Sequence, residues 1–146
     1  MSTTPRAASE SLARQFFACI TDHDLAGLRD LLAEDFVMVY GTAEYDAATF
    51  IDNEATYLEL FPDLRYAVDD LRATAELVAV RCTVTGTHEG SDGPGVFADV
   101  DATGNEFEVV STNVLHVADG RVTELWSEWD ALGMYEQLGL VRVEAA

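Results

Sequence analysis

The stretch His116-Val-Ala-Asp119-Gly120-Arg-Val-Thr-Glu-Leu-Trp126-Ser-Glu-Trp129-Asp130-Ala-Leu-Gly133-Met-Tyr-Glu-Gln137-Leu138-Gly139 reads as a β-hairpin that runs into a short helix. Asp119-Gly120 lies between two apolar, β-branched runs, and glycine supplies the positive φ that a tight hairpin turn requires. The second strand stops at Asp130, after which Ala131 to Leu138 has helical spacing and Gly139 supplies the stop. Asp130 then has two readings. It caps the helix through its side-chain oxygen, or it sits among the tryptophans in an apolar pocket that raises its pKa and fits it for proton transfer. The place of His116 depends on the turn. A three-residue loop with a glycine bulge puts it on the face of Asp130, and a two-residue turn puts it on the opposite face.

Upstream of the hairpin, helices come first and strands afterwards. Ser9 to His23 places Leu12, Phe16, Cys19, Ile20 and His23 at helical spacing, with His23 expected to meet the last carbonyls. Asp24 opens a second helix carrying Leu25, Leu28, Leu31 and Leu32, so the two form a helical hairpin. Phe36 to Tyr40 reads as a strand, Gly41 to Tyr45 as a loop, and Asp46 to Leu60 as a third helix ended by Pro62. Strands are expected over 64–74, 77–88, 105–117 and 122–129. This order predicts an α+β, cone-shaped domain, a curved antiparallel or mixed sheet packed against about three N-terminal helices. With 146 residues the chain suits one domain, its core over about 9–139 and short flexible termini.

The charge is unusual. Twenty-seven acidic residues against eight arginines and no lysine leave a formal charge of -19. Such a chain repels nucleic acid and anionic membranes, which excludes both as expected partners. The acids are scattered along the whole chain, a pattern that points to adaptation to high salt. No apolar run approaches the ~20 residues of a membrane span and the N-terminus lacks a signal-peptide core, so a cytoplasmic protein is expected. Cys19 and Cys82 show no metal or redox spacing and are expected to be buried thiols.

Phosphate loops, HExxH, EF-hand and GxSxG patterns are missing from the sequence, which leaves chemistry without a metal or cofactor, or simple binding. In the strand 77–88, Val78, Val80, Cys82 and Val84 share one face, and His88 points the same way at its rim. The glycine-rich run Glu89 to Asp101 is either a lid or a plain connection. Phe16, Tyr40, Tyr57 and Trp126 are core residues that also suit the walls of a cavity between sheet and helices, and with His88 they are the candidate ligand-binding residues. Val109, Leu115 and Val117 are placed on the outer face, which predicts a homodimer through the sheet.

The C-terminal pattern, together with Phe61-Pro-Asp-Leu-Arg65, Val78-Ala-Val-Arg81 and Thr85-Gly-Thr-His-Glu-Gly90, resembles the SnoaL-like polyketide cyclases of the nuclear transport factor 2-like superfamily. The chain departs from that pattern at Gly93 to Asp99, where a longer stretch replaces a short approach to the next strand. The resemblance implies ring closure of a polyketide by intramolecular aldol condensation, with a carboxylate as acid/base and no metal or cofactor. It maps the acidic residue onto Asp130, with His116 beside it. The expected ligand is a small apolar or aromatic carbonyl compound, for cyclase or isomerase-type chemistry. A binding or interaction module of the same fold is the alternative.

Overall fold

A computed structural model describes residues 4–144. Its elements in chain order are α1 (Pro5–Thr21), α2 (Leu25–Leu31), β1 (Leu32–Tyr40), β2 (Ala43–Asp46), α3 (Ala47–Leu60), β3 (Arg65–Ala73), β4 (Leu77–Thr87), β5 (Glu106–Ala118), β6 (Arg121–Trp129) and α4 (Ala131–Gln137). The strands form one mixed sheet in the order β2-β1-β6-β5-β4-β3, antiparallel except where β1 runs parallel to β6. No described helix is long and apolar enough to cross a membrane.

Aspartates start three of the helices. The side chains of Asp24, Asp46 and Asp130 accept the backbone N–H of Gly27, Thr49 and Gly133 at 2.8, 2.9 and 2.8 Å, satisfying donors that the first turn leaves free. Helices α1 and α3 then lay their apolar stripes on the sheet, burying Phe16, Phe17, Ile20, Phe50 and Leu58 against Val80, Val84, Val109 and Leu125. At the β5–β6 turn Asp119 and Gly120 both have positive φ, 53° and 74°, the pattern of a two-residue hairpin turn whose twist matches the strands.

Several sequence expectations need correction. Gly41 to Tyr45 is not a loop, because Gly41 turns the chain back into the edge strand β2, which pairs Tyr40 with Ala43 and Val37 with Asp46. Leu32 leaves α2 and begins β1. His23 sends its ring Nε2 to the carbonyl of Pro62 at 2.8 Å, tying the α1–α2 turn to the end of α3 instead of to its own helix. Val109 and Leu115 point into the core and Val117 packs against it. The outer face of the sheet exposes Val110 and Trp126 in their place.

Candidate functional site

The sheet and helices do not fill the space between them. A cavity of about 190 Å³ remains, walled by Phe16, Phe17 and Ile20 of α1, Phe50, Glu54 and Tyr57 of α3, and Met134 and Tyr135 of α4. The sheet side supplies Tyr66, Val84, Val109 and Leu125, together with the polar run Ser111, Asn113 and Ser127. Tyr40, Tyr45, Asn53, Tyr57, Trp129 and Tyr135 are its less buried walls. There Trp129 stacks on Tyr40 at 5.8 Å and meets Tyr57 edge-on at 6.3 Å, so aromatic rings form this side of the cavity.

Glu54 is the carboxylate of this cavity. It lies between Phe50 and Leu58 on the buried stripe of α3 and is only 8% exposed. Its Oε2 has no hydrogen-bond partner within the protein. Burial pushes its carboxyl from an ordinary 4.5 up to about 7, since an ionised group loses its hydration there without a compensating cation. The same desolvation, with the Glu54 charge adding to it, raises the phenols of Tyr57 and Tyr66, so both remain neutral hydrogen-bond donors.

On the floor, Ser127 Oγ donates to Asn113 Oδ1 at 2.8 Å and Asn113 Nδ2 donates to Ser111 Oγ at 3.0 Å. Beside them the Cys82 thiol is held up to about 12, mainly by burial. Among the described residues no group of three or more His, Cys, Asp or Glu side chains converges as a metal site would.

Of the residues read from the sequence, Phe16, Tyr40 and Tyr57 line the cavity. The others lie elsewhere. Asp130 is solvent-exposed and occupied as the cap of α4, its Oδ1 on Gly133 N–H and its carbonyl on Met134 N–H at 3.0 Å. His116 and Trp126 pack on each other at 4.7 Å on the outer face of the sheet, with Trp126 47% exposed. A bulge explains this. Val117 pairs with Val122 but His116 pairs with Glu124, so Thr123 is an extra residue that inverts the inward set of β6 to Leu125, Ser127 and Trp129. His88 does point to the core face as read, and is fully buried, but Phe61 and Phe97 enclose it and it stands outside the cavity.

The β4–β5 connection also stays out of the cavity walls. It is a packed structure with a 3-10 turn at Gly95–Phe97, held where Glu89 N–H and Gly90 N–H both donate to the Leu60 carbonyl at 3.0 Å. A Cβ at Gly90 would lie 2.3 Å from the Glu59 carbonyl oxygen, so this close approach requires glycine.

The family described as SnoaL-like polyketide cyclase matches residues 10–138. Among solved structures, AclR of Streptomyces galilaeus, a proposed hydroxylase, is 28% identical with a TM-score of 0.83, covering 94% of this chain and 99% of that one. IdmH of Streptomyces antibioticus, a proposed polyketide cyclase, is 30% identical with a TM-score of 0.78 over 94% of this chain and 99% of that one. TsrD of Streptomyces laurentii, at 23% identity and a TM-score of 0.80 over 95% and 100% of the two chains, shares the fold. No curated protein sequence matches the chain significantly.

Proposed function

The chain belongs to the SnoaL-like polyketide cyclase family, and from that premise we propose that it is an acid/base enzyme acting without a cofactor on a flat, apolar carbonyl compound, with Glu54 as its proton-transfer group. The buried, unpartnered Glu54 carboxyl in the cavity carries this reading, because a general base works best with a pKa near the working pH. Glu54 takes a proton from the carbon next to a ketone; the C–H pair becomes the C=C bond and the carbonyl π pair moves onto oxygen as an enolate. The enolate carbon attacks a second carbonyl of the same molecule, forming the ring C–C bond, and the resulting alkoxide takes the proton back from Glu54. Atoms and charge balance with no other reactant.

Turnover of a panel of enolisable polyaromatic ketones by wild type, Glu54→Gln and Asp130→Asn tests the assignment. Glu54→Gln is expected to lose about 10³-fold in kcat, within the usual range for a general base. Asp130→Asn keeps the cap, since Asn caps as well as Asp, and should leave kcat and melting temperature unchanged. The opposite pattern returns the catalytic role to Asp130. A wild type that binds these ketones and converts none is a binding module.

We also propose that the acidic surface is an adaptation to a salt-rich cytoplasm and that two copies meet through the outer sheet face. Exposed Val110 and Trp126 there share the face with Glu106, Glu108 and Glu128, whose repulsion across an interface is screened only by salt. Melting temperature and dimer fraction should therefore both rise from roughly 0.1 to 3 M KCl, as the Debye length falls from ~10 Å to below ~3 Å. A flat melting temperature refutes the first proposal, and a monomer throughout by light scattering refutes the second.

A further inference from the structure

The polar run on the sheet floor is out of place in a core. Along the inward side of β5 the sequence goes Phe107, Val109, Ser111, Asn113, Leu115, and on β6 it goes Leu125, Ser127, Trp129, so three buried polar groups interrupt two apolar rows at one spot. Asn113 and Ser127 are directly paired across the strands. Burying such groups costs free energy that apolar side chains of similar size would avoid. They face the cavity from the layer opposite Glu54.

The hydrogen bonds give the run a direction. Ser127 Oγ donates to Asn113 Oδ1, and Asn113 Nδ2, within 3.5 Å of the Val80 carbonyl as well, donates to Ser111 Oγ. The Val80 carbonyl, which can only accept, puts the amide nitrogen on the Ser111 side and its oxygen toward Ser127. Ser111 uses an oxygen lone pair to accept, which leaves its own hydroxyl hydrogen to be placed. Cys82 stands opposite Ser111 across β4 and β5, and its thiol sulfur is a weaker acceptor than a carbonyl oxygen.

We propose that Ser111, polarised by Asn113 and Ser127, is the oxygen-binding group of this cavity: it holds the carbonyl oxygen of an enolisable ketone and stabilises the enolate that forms there. This rests on the proposed proton abstraction by Glu54. It deepens that reading by fixing the ligand's orientation, the oxygen on the sheet floor and the acidic carbon toward α3. Ser111 is a catalytic residue because it touches the reacting oxygen. Asn113 and Ser127 are positioning residues because they act through it.

Substituted nitrophenols test this without turnover, because a bound nitrophenolate presents an anionic oxygen as an enolate does and its absorption reports its ionisation. Wild type is expected to bind the phenolate form. Ser111→Ala should weaken that binding 10- to 100-fold, the usual loss for one hydrogen bond to a charged group. It should also lower kcat about 100-fold with KM little changed, as when an oxyanion donor is removed. Ser111→Thr keeps the hydroxyl and should restore both. Asn113→Leu should weaken phenolate binding less than Ser111→Ala, since it removes the polarising group and not the donor.

Glu54→Gln keeps the two proposals apart. Removing a negative charge from the cavity should leave phenolate binding equal to wild type or tighter while turnover is lost. Normal turnover by Glu54→Gln with phenolate binding lost in Ser111→Ala would overturn the role of Glu54 and leave the oxygen site standing. Phenolate binding by Ser111→Ala equal to that of wild type would overturn the oxygen site, and so would a wild type that binds no nitrophenolate at all.

Discussion

Glu54→Gln is expected to stabilise the fold above neutral pH by roughly 3 kcal/mol while removing activity. Glu54 has an ordinary value of 4.5 and a folded value of about 7, so the folded state holds this proton more tightly than the unfolded chain does. Between those two values the unfolded state has released the proton and the native state has not, so stability falls as pH rises. Below pH 4.5 both states are protonated and Glu54 costs nothing beyond the burial of a neutral carboxyl. Above about pH 7 the charge is present inside the fold and the full penalty applies. Gln carries no charge at any pH. The difference in unfolding free energy between variant and wild type should therefore be small at low pH, grow through the window, and level off on the alkaline side. Urea unfolding at a series of pH values measures it, and parallel curves for the two proteins would show that Glu54 is hydrated or paired. A native group kept at this cost is expected where chemistry uses it.

How much of this was legible in the sequence depended on whether the local pattern was continuous. The Asp24 cap and the Asp119-Gly120 turn are short-range chemistry, and they appear where the sequence put them, as does the capping alternative read for Asp130. The inward set Val78, Val80, Cys82 and Val84 of β4 was equally readable, because that strand pairs with β5 without a break. In β6 the single extra residue Thr123 reverses the alternation, so counting forward from buried Val122 puts Trp126 in the cavity when it lies outside. Asp130 was placed in a pocket by its nearness in sequence to the two tryptophans, and Trp126 lies on the outer face instead. Strand β2 escaped notice because its four residues, Ala43-Glu-Tyr-Asp46, are too few for their alternation to stand out and form an edge half open to water directly after the Gly41 turn.

Glu54 had a signal that was not used. It stands four residues after Phe50 and four before Leu58, so one helical stripe contains it between two buried apolar side chains. A carboxylate in such a stripe is either paired with a cation or placed for function, and no arginine lies at helical spacing on α3 to pair with it. Of the cavity, the aromatic walls Phe16, Tyr40 and Tyr57 were legible, but the polar floor Ser111, Asn113 and Ser127 was not, since it faces Glu54 only when α1, α3 and α4 meet the sheet.

The second large effect concerns the β4–β5 connection, whose glycine-rich sequence permitted a lid. Phe97, at its centre, is 2% exposed, with ring centroids 5.4 Å from His88, 5.8 Å from Phe61 and 5.9 Å from Tyr135. Thr103 N–H donates to His88 Nδ1 at 3.2 Å and Gly104 N–H to the His88 carbonyl at 2.9 Å, so the far side of the loop is fastened to the same histidine. With Nδ1 accepting, the ring proton sits on Nε2, which has no partner and is enclosed by the aromatic rings. Phe97→Ala opens a void in this cluster and is expected to cost about 3–5 kcal/mol, the usual range for a buried Phe→Ala change. Hydrogen exchange should speed up first in 89–104, where the loop hydrogen bonds depend on that ring for shielding. The cavity should keep its affinity for nitrophenolates, because neither Phe97 nor its loop lines it. Tyr135 is the route by which that expectation can fail, since it both packs on Phe97 and walls the cavity. If Phe97→Ala weakens ligand binding tenfold or more while the protein is still folded, the connection is coupled to the site through α4 and serves as a lid after all.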